Sequence, residues 1–256
     1  MDAKKSIAQL QVAAVVDLSV SLIRGIADGF SPEELARVID NTMLKPTAPI
    51  DEVLKSIEET RRYGFKCLVL SPGHAVHVLS KGLAEGVNIC SVVGFPMGYS
   101  TTRIKTMEAE ELLSHGVKEV DIVMNLQLFK SGMYECVLSD VAAVVDIARR
   151  YGAIAKVIIE SPLLSYSEKV RAVEIAIDSG AHFVKTSTGI LSKTPLHDVY
   201  ILVEAARGRI KVKAAGGFSS AIDTLIAIAI GAERIGTSSA VQIVKEFQEL
   251  KSLMKN

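Results

Sequence analysis

The hydrophobic pattern alternates between two periods along the chain. Short runs rich in β-branched residues alternate with longer segments in which apolar residues recur every three or four positions, which is typical of buried strands and amphipathic helices respectively. Eight strands are predicted, at residues 38–44, 66–71, 88–95, 119–125, 155–161, 182–189, 210–217 and 233–239. Helices are predicted between them, among others at residues 101–116, 134–152, 167–180 and 194–208.

This alternation of strand and helix indicates an α/β protein with a parallel sheet and crossover helices. Eight such units in 256 residues favour closure into a (β/α)₈ TIM barrel over an open, doubly wound sheet. Residues 1–36 precede the first strand and predict an N-terminal helical extension, which leaves residues 37–256 for the barrel. Within the extension, Pro32 directly after Ser31 matches the start of a helix.

Composition restricts the classes of partner and compartment. The chain is 49% hydrophobic and has a formal net charge of zero, which predicts neither a nucleic acid nor a membrane as partner. The N-terminus does not resemble a signal peptide, and no apolar segment is long enough to span a membrane. Three cysteines without a Cys-x-x-Cys pattern predict neither a disulfide framework nor a zinc site. We therefore expect a cytoplasmic protein.

Polar residues late in the strands are the candidates for function, because barrel enzymes bind substrate at the carboxyl ends of their strands. Lys185 lies in the sixth predicted strand, although lysine is rarely fully buried. In the seventh strand, Val212 belongs to the apolar, helix-facing side, so alternation points Lys213 into the barrel beside Lys185. Asp121 faces the interior from the fourth strand.

Two amines in one poorly solvated pocket disfavour each other's charge, and burial adds to this effect. Both influences lower a lysine pKa, and a neutral lysine is a nucleophile for carbonyl carbon. The pattern therefore predicts that Lys185 reacts covalently and that Lys213 and Asp121 assist it. The alternative is a structural lysine that pairs with a carboxylate or extends its amine to solvent.

A second group of residues suggests an anion site. Glycines fall at the ends of strands six, seven and eight, and two serines follow the last strand, at the position where barrel enzymes often bind phosphate. The alternative is that these glycines only shape tight turns. The loop at residues 94–102 forms either a rim over the pocket or an ordinary connection.

Six segments together resemble one known family: IDNTMLKP, VVGFPMGYSTTRIKTMEAEELLSHGVKEVDIVMN, KVIIESPLLS, FVKTSTG, KVKAAGG and RIGTSS. In this order and spacing, over about residues 37–245, the chain resembles the deoxyribose-phosphate aldolases, which are class I aldolases with a (β/α)₈ barrel. The resemblance implies reversible cleavage of 2-deoxy-D-ribose 5-phosphate to D-glyceraldehyde 3-phosphate and acetaldehyde, without a metal or an organic cofactor. It also implies a homo-oligomer.

Carried over by motif, the resemblance implies that Lys185 forms the Schiff base, that Lys213 is the second catalytic lysine and that Asp121 transfers protons. It also implies a phosphate site at Gly216, Gly217, Gly236, Ser238 and Ser239. The residues at the ends of strands one and six add further candidates for binding substrate, namely Asp40, Thr42, Thr188 and Gly189.

The chain departs from the family pattern at two positions. Asn41 stands where many members have His, and Ser219 stands where many have Arg, which removes a positive charge near the expected phosphate. Two alternative functions remain open: a class I aldolase for another phosphorylated sugar, and a barrel that binds a sugar phosphate without turnover.

Overall fold

The structure, a computed structural model, describes residues 21–254. Eight parallel strands close into a barrel in sequence order, with the last strand pairing with the first. The strands are β1 (Ile39–Met43), β2 (Cys67–Leu70), β3 (Ile89–Val93), β4 (Glu119–Val123), β5 (Ile154–Ile158), β6 (Phe183–Lys185), β7 (Lys211–Ala215) and β8 (Arg234–Thr237). All eight predicted strands are present, and each is shorter than its predicted range.

Helices surround this barrel and confirm the predicted (β/α)₈ class. Helix α1 is described from residue 21 and ends at residue 28. The others are α2 (Pro32–Ala36), α3 (Ile50–Tyr63), α4 (Pro72–Ser80), α5 (Thr102–Ser114), α6 (Leu126–Lys130), α7 (Tyr134–Arg150), α8 (Tyr166–Asp178), α9 (Leu196–Ala206), α10 (Ala221–Ile230) and α11 (Ala240–Met254), with a 3₁₀ turn at Ser161–Leu163. Among the described helices, none has the length and apolar character that crossing a membrane requires.

Local sequence accounts for where the helices begin and end. Ser165 caps α8: its side chain accepts the N–H of Glu168, whose carboxylate accepts the N–H of Ser165 in return. Gly180 follows that helix with φ +74°, a conformation that glycine adopts without steric cost. Ser31 and Pro32 start α2 in the predicted way, as cap and first helical residue.

The described part of the N-terminal extension packs against the C-terminal helix. Ala27 and Leu35 are buried in one apolar cluster with Phe247 of α11. The amine of Lys251 donates hydrogen bonds to the carbonyl oxygens of Ala27, at 3.1 Å, and Phe30. The rest of the predicted extension, before residue 21, lies outside the described residues, and the boundary at residue 37 stays a prediction.

The two surfaces of the barrel wall differ in chemistry. The outer surface and the helices form two large apolar clusters, as a parallel sheet buried on both faces requires. The interior is apolar only towards β2 and β3, where Cys67, Val69, Cys90 and Val92 cluster. Elsewhere it is filled with charged side chains, and burying these is costly unless they pair with one another.

Candidate active site

The amine of Lys185 lies at the carboxyl end of β6. Only 5% of Lys185 is exposed, and its Nζ lies 2.8 Å from Oδ2 of Asp121. The register of β6 and β7 sets Lys185 directly beside Lys213. The structure therefore brings together the three residues that the sequence identifies as catalytic.

Lys213 is fully buried, and its ammonium contacts two carboxylates. Its Nζ lies 2.8 Å from Oδ2 of Asp121 and 2.6 Å from Oδ2 of Asp40. Both amines therefore share one oxygen of Asp121, but Lys213 has a second carboxylate that Lys185 lacks. The two amines therefore lie in different electrostatic environments.

Three further charged residues in the interior are absent from the sequence prediction. Lys156 of β5 bridges Asp121, at 2.8 Å, and Glu119, at 2.7 Å. Arg234 of β8 joins Glu119, at 2.8 Å, to Asp40. Glu119 and Arg234 begin their strands, and a rule that looks for function at strand ends passes over them. A search for charged residues inside apolar strands would have found all three.

The buried network is balanced when Lys185 is neutral. It contains three carboxylates and four basic groups, namely Asp40, Glu119 and Asp121 with Lys156, Lys185, Lys213 and Arg234. A protonated Lys185 would leave one positive charge in excess in an interior where ions are poorly solvated. The composition of the network thus favours the neutral, nucleophilic form of this one amine.

The pKa shifts follow the same division. Burial lowers the pKa of Lys185; Asp121 opposes that shift, and the nearby charge of Lys213 reinforces it. Burial also works against the charge of Lys213, but attraction to Asp121 and Asp40 outweighs it and raises the pKa of Lys213. Burial opposes the charge of Asp121 as well, yet Lys156, Lys185 and Lys213 hold its pKa well below the usual range. Asp121 is therefore a carboxylate and Lys213 an ammonium at neutral pH.

A cavity of about 580 Å³ opens above Lys185. Its walls include most of the predicted substrate-binding residues, namely Thr42, Thr188, Gly189, Gly216, Gly217, Gly236, Ser238 and Ser239. Lys213 and Asp121 are fully buried and do not line the cavity, and both contact the network that holds Lys185. The loop at residues 94–102 contributes Phe95 to the lining, so it forms part of the rim.

The glycines of the cavity wall allow two loops to touch. A Cβ on Gly216 would lie 2.0 Å from Oγ of Ser187, and one on Gly189 would lie 3.1 Å from Cα of Gly216. Gly216 also has φ +96°, which other residues rarely adopt. The glycines thus shape tight turns, which was the alternative to an anion site. The same glycines line the cavity without a side chain, so a ligand can approach their backbone closely.

Two of the predicted substrate-binding residues form contacts with other groups of the protein. Asp40 is fully buried, contacts Lys213 and Arg234, and does not line the cavity, so the structure gives it a positioning role in place of the predicted substrate contact. Asp40 and Thr42 both face the interior, and Asp40 lies two residues earlier in β1, further from the cavity. The alternation of side chains along a strand predicts which face a residue lies on, but not how deep it lies in the barrel. Thr188 lines the cavity, but its N–H donates to Glu160 at 3.0 Å.

The two departures from the family pattern fall in different places. Asn41 is buried between β1 and helix α3, where its side-chain amide donates a hydrogen bond to Oγ1 of Thr60 at 3.2 Å. It does not line the cavity. Ser219 lines the cavity and is exposed. Only the second substitution therefore changes the charge that a ligand in the cavity would meet.

One group of potential metal ligands lies in the described interior. The donor atoms of Cys67, Cys90 and Glu119 lie within 4.8 Å of one another. Arg234 and Lys156 already bind the carboxylate of Glu119. Burial also raises the pKa of Cys67 well above its usual value, which disfavours the thiolate that a metal would need. These neighbours oppose a cation at this position.

A (β/α)₈ barrel with a desolvated lysine at the floor of its cavity has the arrangement of a barrel lyase that acts on carbonyl compounds through an imine. Comparison with known proteins agrees. Residues 12–245 match the model of the DeoC/LacD family aldolases. The chain belongs to this family, and it is an aldolase and therefore a lyase.

Individual relatives share most of their length with the chain. The deoxyribose-phosphate aldolase of Aeropyrum pernix is 40% identical over 225 residues, which cover 86% of this chain and 93% of that protein. The one from Methanothermobacter thermautotrophicus is 42% identical over 217 residues, which cover 83% and 95%.

Solved structures give the same result. A tetrameric deoxyribose phosphate aldolase from Aeropyrum pernix superimposes with a TM-score of 0.84 at 38% identity, covering 89% of this chain and 97% of that one. An aldolase called QR15 superimposes with a TM-score of 0.81 at 37% identity, covering 86% and 99%.

Proposed function

We propose that this aldolase cleaves 2-deoxy-D-ribose 5-phosphate reversibly to D-glyceraldehyde 3-phosphate and acetaldehyde, with Lys185 as the Schiff-base residue. The observation that carries the proposal is the charge balance of the barrel interior, which favours a neutral amine at the floor of the cavity. The names of the relatives support the choice of substrate.

In the first step, Nζ of Lys185 attacks the C1 aldehyde of the open-chain sugar. The carbinolamine loses water and becomes a protonated imine, which places a positive charge beside Asp121. The carboxylate, 2.8 Å from this nitrogen in the free enzyme, stabilises that charge. Lys213 keeps its own proton because two carboxylates hold it.

In the second step, the C2–C3 bond breaks, its electron pair moves into the imine to form an enamine, and the C3 hydroxyl loses its proton. Asp121 is a weak base because its pKa is low. We therefore assign Asp121 a transient role: it takes up the proton of the C3 hydroxyl and returns it to C2 of the enamine, while the Lys213 ammonium that shares its oxygen stays protonated. Protonation of the enamine at C2 and hydrolysis then release acetaldehyde.

The phosphate group would lie at the wall of the cavity formed by the carboxyl ends of β7 and β8. The Gly216–Gly217 turn, Gly236 and the Ser238–Ser239 hydroxyls line that wall, and α11 begins directly after them. A helix N-terminus favours negative charge, and bare glycine backbone permits close approach.

Covalent trapping tests this function. The protein is incubated with acetaldehyde and borohydride, and intact mass with peptide mapping locates the adduct. We expect one adduct, on Lys185, and its loss together with turnover in Lys185→Arg at an unchanged melting temperature, because a guanidinium cannot form this imine. Absence of an adduct in the wild type would favour a non-catalytic binding barrel. An adduct without cleavage of deoxyribose phosphate would favour a different phosphorylated sugar.

We further propose that the protein is a homo-oligomer of the cytoplasm. The tetrameric aldolase from Aeropyrum pernix, with 97% of its chain covered, supports self-association. Light scattering of the purified protein at micromolar concentration measures its state, and a monomeric mass would contradict the proposal.

A further inference from the structure

The lining of the cavity contains three basic side chains among the described residues, Lys45, Lys185 and Lys193, and no carboxylate. Lys185 is the reacting amine and contacts Asp121. Lys45 contacts Glu52 at 3.4 Å. Within residues 21–254, Lys193 has no ion-pair partner, so its charge is free to attract an anion.

Lys193 belongs to the loop between β6 and α9, and that loop is fixed to the glycine turn after β7. Thr194, the next residue, donates its N–H to the carbonyl oxygen of Gly216 at 2.9 Å and its hydroxyl to that of Ala215 at 2.7 Å. These bonds anchor the backbone of Lys193 beside the proposed phosphate wall.

The stem of Lys193 packs directly on Gly217. A Cβ on Gly217 would lie 3.0 Å from Cγ of Lys193 and 3.3 Å from its Cβ and Cδ. The apolar stem therefore covers the glycine, and Lys193 is exposed and lines the cavity. Position 219, where many family members carry a cation, holds the neutral Ser219 in the same lining.

We propose that Lys193 supplies the positive charge that binds the substrate's phosphate group and makes the enzyme selective for phosphorylated sugars. The inference rests on the proposed function for its substrate and on the packing of Lys193 over Gly217 for its site. A cation on the loop after β6 thus substitutes for one after β7. A charge-assisted hydrogen bond to phosphate is strong enough to set selectivity.

The test compares kcat/KM for 2-deoxyribose 5-phosphate with that for 2-deoxyribose. Lys193→Met keeps an apolar stem over Gly217 and removes the charge, and we expect the ratio to fall about tenfold or more. Lys193→Arg should restore most of it. High salt should reduce the difference in this kcat/KM ratio between wild type and Lys193→Met, because salt screens the charge of an exposed lysine.

Two other lysines serve as controls. Lys66→Met removes the same charge at the opposite end of the barrel and should leave the ratio unchanged. An unchanged ratio in Lys193→Met, or a larger fall in Lys45→Met, would overturn the proposal.

Calorimetric titration with inorganic phosphate decides the question independently of turnover. Wild type should bind phosphate, and Lys193→Met should bind it about tenfold more weakly or worse. If the wild type cleaves neither sugar, the proposed function fails, but this titration still tests Lys193. Equal phosphate affinity in both proteins would contradict the inference.

Discussion

At the scale of single residues, the reactivity of Lys185 depends on what its neighbours lack as much as on what they provide. Lys213 touches two carboxylates and stays charged, whereas Lys185 shares its one carboxylate with two other amines. The surplus basic group in the network is therefore the one that loses its proton. Burial alone would lower the pKa of either lysine, and only the partners distinguish them.

Lys213→Leu should shift the pH dependence of imine formation to higher pH. The substitution removes a like charge beside Lys185 and leaves Asp121 with one cation fewer, and both changes raise the pKa of Lys185. Each unit of increase makes the trapped adduct form about tenfold more slowly near neutrality. The measurement is the pH profile of the borohydride-trapped adduct on Lys185.

The same variant leaves buried carboxylates short of a partner, which costs about 3–5 kcal/mol of stability. Its thermal melt must therefore show that it is folded at the assay temperature. Lys213→Arg serves as the control that keeps the charge. An unchanged profile in folded Lys213→Leu would mean that burial alone sets the pKa of Lys185.

At the scale of elements, one wall of the cavity is a contact between the loop after β6 and the turn after β7. The hydroxyls of Ser187 and Thr194 both donate to the carbonyl oxygen of Ala215, at 3.1 and 2.7 Å. Gly189 and Gly216 meet without side chains between them. The two glycines therefore allow the two loops to pack closely against each other, in addition to allowing the backbone conformation of each loop.

Gly216→Ala should destabilise the protein more than Gly116→Ala. Both residues have a strongly positive φ, +96° and +99°, so the cost of the backbone conformation is similar. The added methyl group meets Ser187 and Thr194 at position 216 and open space at position 116. We expect a difference of about 1–3 kcal/mol in the free energy of unfolding. Urea denaturation measures it, and equal losses would show that the loop yields without cost.

At the scale of the whole molecule, the barrel interior links catalysis to stability. A folded-state pKa of Lys185 below its unfolded value of about 10.5 means that the unfolded chain binds more protons between those two values. The free energy of unfolding therefore rises with pH between these two pKa values. Below the folded-state pKa it no longer changes with pH, and the protein is destabilised by the full cost of burying Lys185. The enzyme thus carries a stability cost for its nucleophile.

Lys185→Met should therefore be more stable than wild type near neutral pH, and the difference should shrink as the pH approaches 10.5. Methionine fills a similar volume, carries no charge, and leaves Asp121 its contacts with Lys156 and Lys213. Urea unfolding of both proteins from pH 6 to 10 gives the comparison. A variant less stable than wild type throughout this range would show that the Lys185–Asp121 contact is a net stabilising interaction.

Local sequence patterns are sufficient to predict the architecture, and they also give the candidate reacting groups. Period-2 and period-3.6 patterns depend on local geometry, so eight strands and their helices are visible without a structure. Alternation along β6 and β7 likewise indicated that Lys185 and Lys213 face inward as neighbours, and the register confirms this proximity. The start of α2 at Ser31 and Pro32 also followed from local residue types.

Only the tertiary structure decided which charges pair across the barrel. Arg234 and Glu119 lie 115 positions apart in the sequence, and closure of the barrel brings them to 2.8 Å. Periodicity gives the face on which a side chain lies but not its depth, so it cannot show that Asp40 contacts Lys213 and does not line the cavity. The charge balance that leaves Lys185 neutral belongs to the assembled interior, because it sums contributions from six strands that only the closed fold brings into contact.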